Sequence, residues 1–222
     1  MKLLIVPDVH GRDFWIKPCK DIEKYDKIIF LGDYHDPYPF QVSEHTSRKR
    51  LREELVPFVE DNKDKIICLK GNHDCNYTIG VMADRHDHFN HDQVKALLER
   101  MNLQLAHQEG NFLFTHSGVL PAWLEVNNLT LEDVLKGNVS GQALSQVSPR
   151  RGGWDHCGSC VWGDVFEYHN ETKIPGIYQI FGHTMLYPNF EPIITSEFAC
   201  LDTMKCYSLD TEEGYESLTE MN

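Results

Sequence analysis

The stretch that decides the fold is Ile28-Ile29-Phe30-Leu31-Gly32-Asp33-Tyr34-His35-Asp36. An apolar run leads to a glycine, a carboxylate follows at once, and a second carboxylate comes three residues later. This order is typical of a buried strand that ends at the protein surface, where open α/β sheets bind their ligands. We therefore predict that Asp33 and Asp36 lie in a ligand site at the end of a strand.

Four other apolar runs end in ligand-type residues. These residues are Asp8 and His10, Asn72 and His73, His116, and His183. If the strands share a sheet, all five ends meet at one edge and form a cluster of oxygen and imidazole groups, which suits Mn²⁺, Fe²⁺ or Zn²⁺. Turn propensity explains one such residue, but it does not explain five strand ends. The pattern predicts a metal site in which Asp33 bridges two ions.

The chain is expected to form one domain, residues 1–222, with a lid-like insertion at about 119–168. Apolar periodicity predicts helices over 12–25, 43–62 and 92–101, with a disturbance in the second at Pro57. Residues 76–90 lack periodicity and are predicted to be a loop, whereas 103–107 and 112–115 form a hairpin. Two closing antiparallel strands are expected within 192–209, around Asp202-Thr203-Met204, and the acidic tail from Thr211 is expected to fray.

Composition limits the classes of function. The chain of 222 residues has a net charge of −13, a pI near 5.3 and 41% apolar residues. An acidic surface argues against non-specific nucleic-acid binding, but it allows phosphorylated substrates because bound cations supply positive charge. No stretch is long and apolar enough to span a membrane. Seven irregularly spaced cysteines indicate reduced thiols and a cytoplasmic protein rather than a disulfide framework.

The motifs also carry a family resemblance. They are Asp8-x-His10, Gly32-Asp33-x-x-Asp36, Gly71-Asn72-His73-Asp74, His116 and Gly182-His183. Together they resemble the signature of the calcineurin-like metallophosphoesterases. Residues 114–121, 181–184 and 201–203 are similar to stretches of the branch that holds the protein serine/threonine phosphatases and the symmetrical diadenosine tetraphosphatases.

The resemblance implies a four-layer α/β/β/α sandwich with a dinuclear metal site at its strand ends, in an enzyme that hydrolyses phosphoester bonds. It also implies that six side chains hold the ions, with Asp33 bridging: Asp8 and His10 on the first ion, and Asn72, His116 and His183 on the second. Mn²⁺ is the expected ion, with Fe and Zn as alternatives. Two such ions clamp a phosphate and acidify water, so the attacking group is a metal-bridging hydroxide and no side-chain nucleophile is needed.

His73 directly follows Asn72, so the two side chains should point in different directions from one turn. We assign His73 as the general acid that protonates the leaving oxygen. Asp36 is its expected orienting partner, as the family pattern also suggests. The alternative is that His73 is a third protein ligand of the second metal ion.

Two positions depart from the family pattern. Pro37 stands where the protein phosphatases carry a phosphate-binding arginine, and Met185 stands where many phosphodiesterase relatives carry a second histidine. Met185 leaves the first ion with three protein ligands and disfavours a nuclease-like function. The candidates for the missing phosphate clamp are Arg150 and Arg151 in the lid, and Arg12 beside the first motif.

Other residues of the lid are interpreted as structural. Cys157-Gly158-Ser159-Cys160 lacks a second cysteine pair that would complete a zinc site, so we interpret it as a turn. Trp154 and Trp162 are expected to pack the lid, although stacking on a nucleotide base is the alternative.

The expected function is metal-dependent phosphoester hydrolysis on a phosphorylated small molecule, nucleotide or phosphoprotein. The enzyme would be a phosphomonoesterase, similar to the protein phosphatases, or a dinucleoside polyphosphate hydrolase. The alternatives are a phosphodiesterase or nuclease on the same fold, and a catalytically inactive metal-binding scaffold. An intact ligand set together with His73 disfavours the scaffold, because a scaffold needs neither.

Overall fold

The structure, a computed structural model, describes residues 1–168 and 173–221. Over these residues the strands form two five-stranded sheets. In chain order they are β1 (Lys2–Val6), β2 (Lys27–Phe30), β3 (Ile66–Cys68), β4 (Ala106–Glu109), β5 (Phe112–Thr115), β6 (Tyr178–Phe181), β7 (Ile193–Ile194), β8 (Phe198–Cys200), β9 (Cys206–Asp210) and β10 (Thr219–Met221). The order is β10-β9-β1-β2-β3 in the first sheet and β4-β5-β6-β8-β7 in the second.

Short helices connect the strands. In chain order they are α1 (Ile16–Cys19), α2 (Glu44–Arg50), α3 (Val56–Asp61), α4 (Asn72–Ile79), α5 (His91–Glu99), α6 (Pro121–Val126), α7 (Leu131–Leu135), α8 (Gly141–Leu144) and α9 (Val165–Tyr168). A π-helical segment, Leu51–Leu55, joins α2 to α3. Single 3₁₀ turns occur at Ile22–Lys24, His88–Asn90, Pro149–Arg151 and Tyr215–Ser217.

Strand β1 shows how the layers are arranged. It is apolar on both faces, and alternate residues point to opposite sides of the sheet. Leu4 packs in a cluster with Leu55 of the helical layer, whereas Ile5 packs in a cluster with Phe114 of the second sheet. A third cluster, around Trp123, covers the outer face of the second sheet. Burial of each such side chain contributes roughly 1.5–3 kcal/mol, and the layers run α/β/β/α as predicted.

The five strand ends of the predicted site come from both sheets. Strands β1, β2 and β3 are parallel neighbours in the first sheet, and β5 and β6 are parallel neighbours in the second. The condition that all five share one sheet is therefore not met. Their ends still meet, because the sheets are stacked: the backbone N–H of His183 donates to Asp8 Oδ1 at 2.9 Å.

The predicted helix over 43–62 is present, with a change of pitch near Pro57. Ser43 caps it, since its hydroxyl accepts a hydrogen bond from the backbone N–H of Thr46 at 3.1 Å. Pro57 lies in the first turn of α3 and lacks an N–H. The disturbance expected at Pro57 takes the form of the wider π turn at Leu51–Leu55, where the bonding pattern is shifted.

The segment 76–90, predicted as a loop, begins inside α4, which ends at Ile79 and is capped by Gly80. Most of the buried residues of α4 are polar, among them His73 and Asp74. Apolar periodicity cannot detect such a helix, because polar groups fill its inner face. The predicted helix over 12–25 is shorter than expected, with α1 and one 3₁₀ turn only.

The end of the chain differs most from its prediction. The strands on either side of Asp202-Thr203-Met204 are β8 and β9, and the prediction that they form an antiparallel pair is wrong. Strand β8 pairs antiparallel with β7, whereas β9 pairs antiparallel with β1 in the other sheet. The turn at 201–205 therefore crosses from one sheet to the other. The tail from Thr211, predicted to fray, instead forms β10 against β9. Backbone hydrogen bonds order this tail despite its polar side chains.

Candidate metal and phosphate site

Asp33 is held by the turn after β2 and by the start of α4. The Asp74 carboxylate accepts hydrogen bonds from the backbone N–H groups of Asp33 (2.7 Å) and Gly71 (2.8 Å), which ties two strand ends together. The backbone N–H of His73 donates to Asp33 Oδ1 at 3.0 Å. Asp74 thus positions Asp33, a role not predicted from the sequence although Asp74 directly follows His73.

Four of the predicted site residues have an unusual backbone conformation. His10, Asp33, Asp36 and His183 have φ angles of 44°, 54°, 53° and 65°. This left-handed region costs a residue other than glycine roughly 1–2 kcal/mol. Such strain persists where the surrounding structure enforces it, and it clusters at functional sites. The shared conformation supports a functional role for these turns.

Gly71 and Gly182 let two turns approach the carboxylates. A Cβ at Gly71 would lie 2.0 Å from Asp33 Oδ1, and a Cβ at Gly182 would lie 2.1 Å from Asp8 Oδ1. Both distances are far below van der Waals contact, so only glycine fits. This close approach explains the glycine that precedes each of the ligand-type residues Asn72 and His183.

His116 Nε2 lies among several other ligand-type atoms. Its ring Nδ1 is 2.9 Å from Leu31 O, and since a carbonyl only accepts, Nδ1 is the donor there and Nε2 is the nitrogen that faces the other ligand-type atoms. Nε2 is 3.1 Å from Asn72 Oδ1, 3.0 Å from His183 Nδ1 and 3.5 Å from Asp33 Oδ2. Ligand atoms that converge in this way fit a cation placed among them.

A second cluster forms around His10. Its Nδ1 is 2.9 Å from His35 O and 3.0 Å from Asp36 O, so its Nε2 is free to coordinate and lies 3.4 Å from Asp33 Oδ2. Ligating histidines are usually fixed through the other ring nitrogen in this way. Two groups have ligand atoms within 4.8 Å of one another: Asp8, Asp33, His116 and His183, and also His10, Asp33 and His73. Asp33 belongs to both groups. Asp8 belongs to the same group as His116, although the family likeness assigns Asp8 to the first ion.

Burial controls the protonation of these side chains. Desolvation lowers the pKa of His10 and of His183 well below the usual value, so both rings are neutral near pH 7 and able to coordinate. Burial raises the pKa of Asp8, and the Asp33 carboxylate adds to that effect. Among the described residues, His183 Nε2 is buried without a hydrogen-bond partner. Carboxylates and neutral imidazoles packed this closely fit divalent cations, which would offset the repulsion.

His73 and Asp36 are in contact, as predicted. His73 Nδ1 is 2.9 Å from Asp36 Oδ2. The Tyr77 hydroxyl donates to Asp36 Oδ1 and accepts from the backbone N–H of Asp87 at 2.9 Å. Burial alone would lower the pKa of His73, but nearby carboxylates, foremost Asp33, outweigh it and raise the pKa to about 10. His73 groups with His10 and with Asp33, the residue common to both clusters, and not with His116 or His183.

The three arginines predicted as phosphate clamps have different surroundings. Arg150 and Arg151 line a cavity over the strand ends, and Arg151 donates to His183 O at 3.1 Å. Arg12 is buried and donates to Asp8 O at 2.8 Å. Arg12 therefore supports the turn after β1, and it is not among the described residues that line the cavity.

The cavity, of about 520 Å³, also contains residues that sequence reasoning missed. Tyr38, Asp84 and Arg85 line it together with the predicted ligands. Arg85 contacts Asp36 from 49 residues away in the chain, so neither spacing nor periodicity signals the contact. A larger cavity of about 780 Å³ lies beside Tyr178, but its described lining contains none of the clustered ligand-type residues.

The remaining residues of the lid segment have mixed outcomes. Trp162 contacts the His183 ring edge-on, with centroids 5.5 Å apart. Trp154 is fully exposed, so the prediction that it packs the lid is wrong. Cys157 and Cys160 are buried, and neither belongs to a metal-type cluster in the described part of the chain.

The chain is an α/β/β/α sandwich that gathers carboxylate, amide and imidazole groups at its strand ends. The family model described as calcineurin-like phosphoesterase matches residues 1–187. The chain belongs to this family, as the sequence motifs predicted, and it is a metal-dependent hydrolase of phosphoesters. A search of the curated proteins found no match.

Solved structures share the fold at low sequence identity. A cold-active protein-tyrosine phosphatase of a psychrophilic Shewanella species has a TM-score of 0.63 and 13% identity over 100% of this chain and 80% of that chain. A putative diadenosine tetraphosphatase has a TM-score of 0.52 and 13% identity over 99% and 92%. A protein serine/threonine phosphatase from Saccharomyces cerevisiae has a TM-score of 0.51 and 14% identity over 100% and 79%. Within the residues described, no helix has the length and apolar character needed to cross a membrane.

Proposed function

We propose that this chain hydrolyses phosphate monoesters at a site for two divalent ions, with Mn²⁺ as the expected metal. Asp33 is the shared ligand, and the others divide as the family likeness implies: Asp8 and His10 on the first ion, and Asn72, His116 and His183 on the second. The observation that carries the proposal is that Asp33 belongs to both clusters of ligand-type atoms. When bound, two such ions polarise phosphoryl oxygens and lower the pKa of water.

His73 serves as the general acid in this proposal. Asp36 engages Nδ1, while Nε2 faces the cavity residues Asp84 and Arg85 at 3.3 and 3.1 Å. A proton held at Nε2 is placed to pass to the leaving oxygen, which would otherwise depart as a poor alkoxide leaving group. Tyr77 positions Asp36 and thereby restrains the orientation of the His73 ring.

The arginines that line this cavity favour an anionic substrate, whereas the acidic net charge of the whole chain disfavours nucleic-acid binding. The chain has a net charge of −13, yet Arg85, Arg150 and Arg151 all line the cavity. A local positive field in an acidic protein attracts a small phosphate group or a phosphorylated side chain rather than a long polyanion. Met185, in place of a second histidine, adds to the case against a phosphodiesterase or nuclease.

We also propose that residues 119–168 form a lid-like insertion within a single domain, 1–222. Arg150, Arg151 and Trp162 from this segment line one side of the cavity. A cytoplasmic location is proposed from the seven irregularly spaced cysteines, since an odd number without a disulfide pattern is typical of a reducing compartment.

A substrate panel tests the proposed function. The protein is stripped of metal, loaded with Mn²⁺, Zn²⁺ or Fe²⁺, and assayed with p-nitrophenyl phosphate, its bis-ester, a phosphopeptide and diadenosine tetraphosphate. We expect turnover of the monoesters. Turnover of the bis-ester alone would favour a phosphodiesterase, and turnover of diadenosine tetraphosphate alone would favour a dinucleoside polyphosphate hydrolase. No turnover by a protein that binds two ions would favour the inactive scaffold.

Two substitutions separate the roles of His73 and Asp33. His73→Asn should keep both ions and lose rate, because His73 moves a proton and holds no metal in this proposal. Asp33→Asn should lose metal, because both ions depend on its carboxylate. Metal loss from His73→Asn would instead make His73 a ligand, which its placement beside His10 allows.

A further inference from the structure

We propose that Arg85 clamps the phosphate of the substrate, in place of the arginine that the family pattern expects at position 37. This inference rests on the proposed function, because it assumes that a phosphoryl group enters the cavity. Pro37 cannot serve, since it has no charged group or donor. Arg85 reaches the neighbouring position from a different loop, the one between α4 and α5.

The guanidinium group lies where a clamp is needed. Its Nη1 donates to Asp36 O, the carbonyl directly before Pro37, at 2.8 Å. Its Nη2 is 3.1 Å from His73 Nε2, the nitrogen assigned to protonate the leaving oxygen. A phosphoryl oxygen bound between Asp33 and His73 would therefore lie within reach of the guanidinium.

Arg85 is fixed in this position before any ligand binds. Its guanidinium carbon lies 3.8 Å from the centroid of the Tyr38 ring, a cation–π contact. Its backbone has a φ of 54°, the same left-handed region as His10, Asp33, Asp36 and His183. A guanidinium has five N–H donors, and the hydrogen bonds to Asp84 and to Asp36 O engage two of them, on Nε and Nη1. The two N–H groups of Nη2, the nitrogen beside His73, have no acceptor in these bonds and can serve the phosphate.

The other arginines are placed less well. Arg12 is buried beneath the site and bonds to backbone carbonyls. Arg151 bonds to His183 O and lies 3.7 Å from Asp164. Arg150 is exposed at the rim. Arg85 combines a fixed guanidinium, a side chain with 21% exposure and direct contact with the His73–Asp36 pair.

Asp84 competes with a bound phosphate for Arg85 and His73. Its carboxylate lies 3.4 Å from Arg85 Nε and 3.3 Å from His73 Nε2, and 73% of the side chain is exposed. An anionic substrate that binds Arg85 and His73 is repelled by this carboxylate, which lies beside both groups. Removing Asp84 should therefore strengthen phosphate binding, whereas removing Arg85 should weaken it.

Calorimetry with inorganic phosphate on the Mn²⁺-loaded protein tests these two signs. We expect Arg85→Ala to weaken phosphate binding by about 10- to 100-fold, the usual effect of losing charge-assisted hydrogen bonds. Arg85→Lys should fall between, because it keeps charge without the bidentate fork, and Asp84→Ala should bind a few-fold more tightly. The control is Arg100→Ala, whose guanidinium pairs with Glu60 on the surface. Unchanged phosphate affinity in folded, metal-loaded Arg85→Ala would overturn the proposal.

Leaving-group dependence separates a phosphate clamp from an effect through His73. A clamp should lower kcat/KM for p-nitrophenyl phosphate and phenyl phosphate by the same factor, since both carry the same phosphoryl group. A loss much larger for phenyl phosphate, which needs protonation more, would show that Arg85 acts by positioning His73 and would overturn the clamp. If wild-type protein binds phosphate through Arg85 but hydrolyses no ester, the proposed function fails and the clamp stands.

Discussion

Replacing Gly71 by alanine is expected to displace the shared metal ligand while leaving every ligand side chain in the sequence. The new Cβ would lie 2.0 Å from Asp33 Oδ1 and 2.7 Å from its Cγ. Restoring ordinary contact at 3.4 Å requires a movement of about 1.4 Å. Metal coordination tolerates roughly 0.2 Å in ligand distance. The backbone is not free to move instead, because the Gly71 N–H is bonded to Asp74 at 2.8 Å.

The expected loss of metal affinity is large. Removing a group that only orients a ligand costs about 10- to 100-fold in affinity, so displacing the shared ligand itself should cost at least about 100-fold, or about 2.7 kcal/mol, for each ion. The assay is equilibrium dialysis against Mn²⁺ followed by mass-spectrometric metal counting on folded protein.

Two other glycines provide comparisons for this experiment. Gly141→Ala is the control, because a Cβ there meets nothing within 4 Å, and it should keep full metal content. Gly182→Ala displaces Asp8 instead of Asp33 and should weaken one ion more than the other. Full metal content in folded Gly71→Ala would refute the assignment of Asp33 as the shared ligand.

Three further predictions address the general acid and the core. Tyr77→Phe removes a hydrogen bond to Asp36, and since such bonds to charged groups are worth about 1.5–3 kcal/mol, kcat should fall about tenfold with metal content unchanged; an unaltered kcat would contradict the positioning role. The general acid is active when protonated, so kcat for phenyl phosphate should decline as pH rises through the pKa of His73, at a pH below 10 because bound cations lower that pKa from its value of about 10. His73→Asn should abolish this alkaline limb, and a limb that persists would reject the assignment. Trp123→Ala, at a fully buried indole, should cost about 3–5 kcal/mol in urea unfolding, whereas Trp154→Ala, at an exposed one, should stay within about 0.5 kcal/mol; equal effects would contradict the packing.

The strands and most of the candidate ligands could be predicted because they obey one physical rule. Strands β1 and β2 are covered on both faces, so they appear in the sequence as nearly continuous apolar runs, and β6 is apolar apart from Gln179. Where such a run ends, the chain leaves the core, and polar side chains can gather. The rule located Asp33 and His183 without any knowledge of which sheet each strand joins.

The rest of the site could not be predicted, since it depends on contacts between distant segments. Helix α4 buries polar residues against the site, so its periodicity is not apolar. Arg85 belongs to the site only because its loop folds back onto Asp36. The polar tail is ordered by backbone pairing with β9, which side-chain composition does not signal. Each of these features depends on tertiary geometry rather than on local sequence.

Hydrolysis at a two-ion site bridged by Asp33 is tested most directly by titrating metal-free protein with Mn²⁺ and measuring p-nitrophenyl phosphate turnover at each step. We predict no turnover without metal and full turnover only when two ions are bound per chain. The Asp33→Asn variant should show neither full metal content nor turnover. Full turnover in metal-free protein, saturation at one ion, or an active Asp33→Asn variant would contradict these predictions.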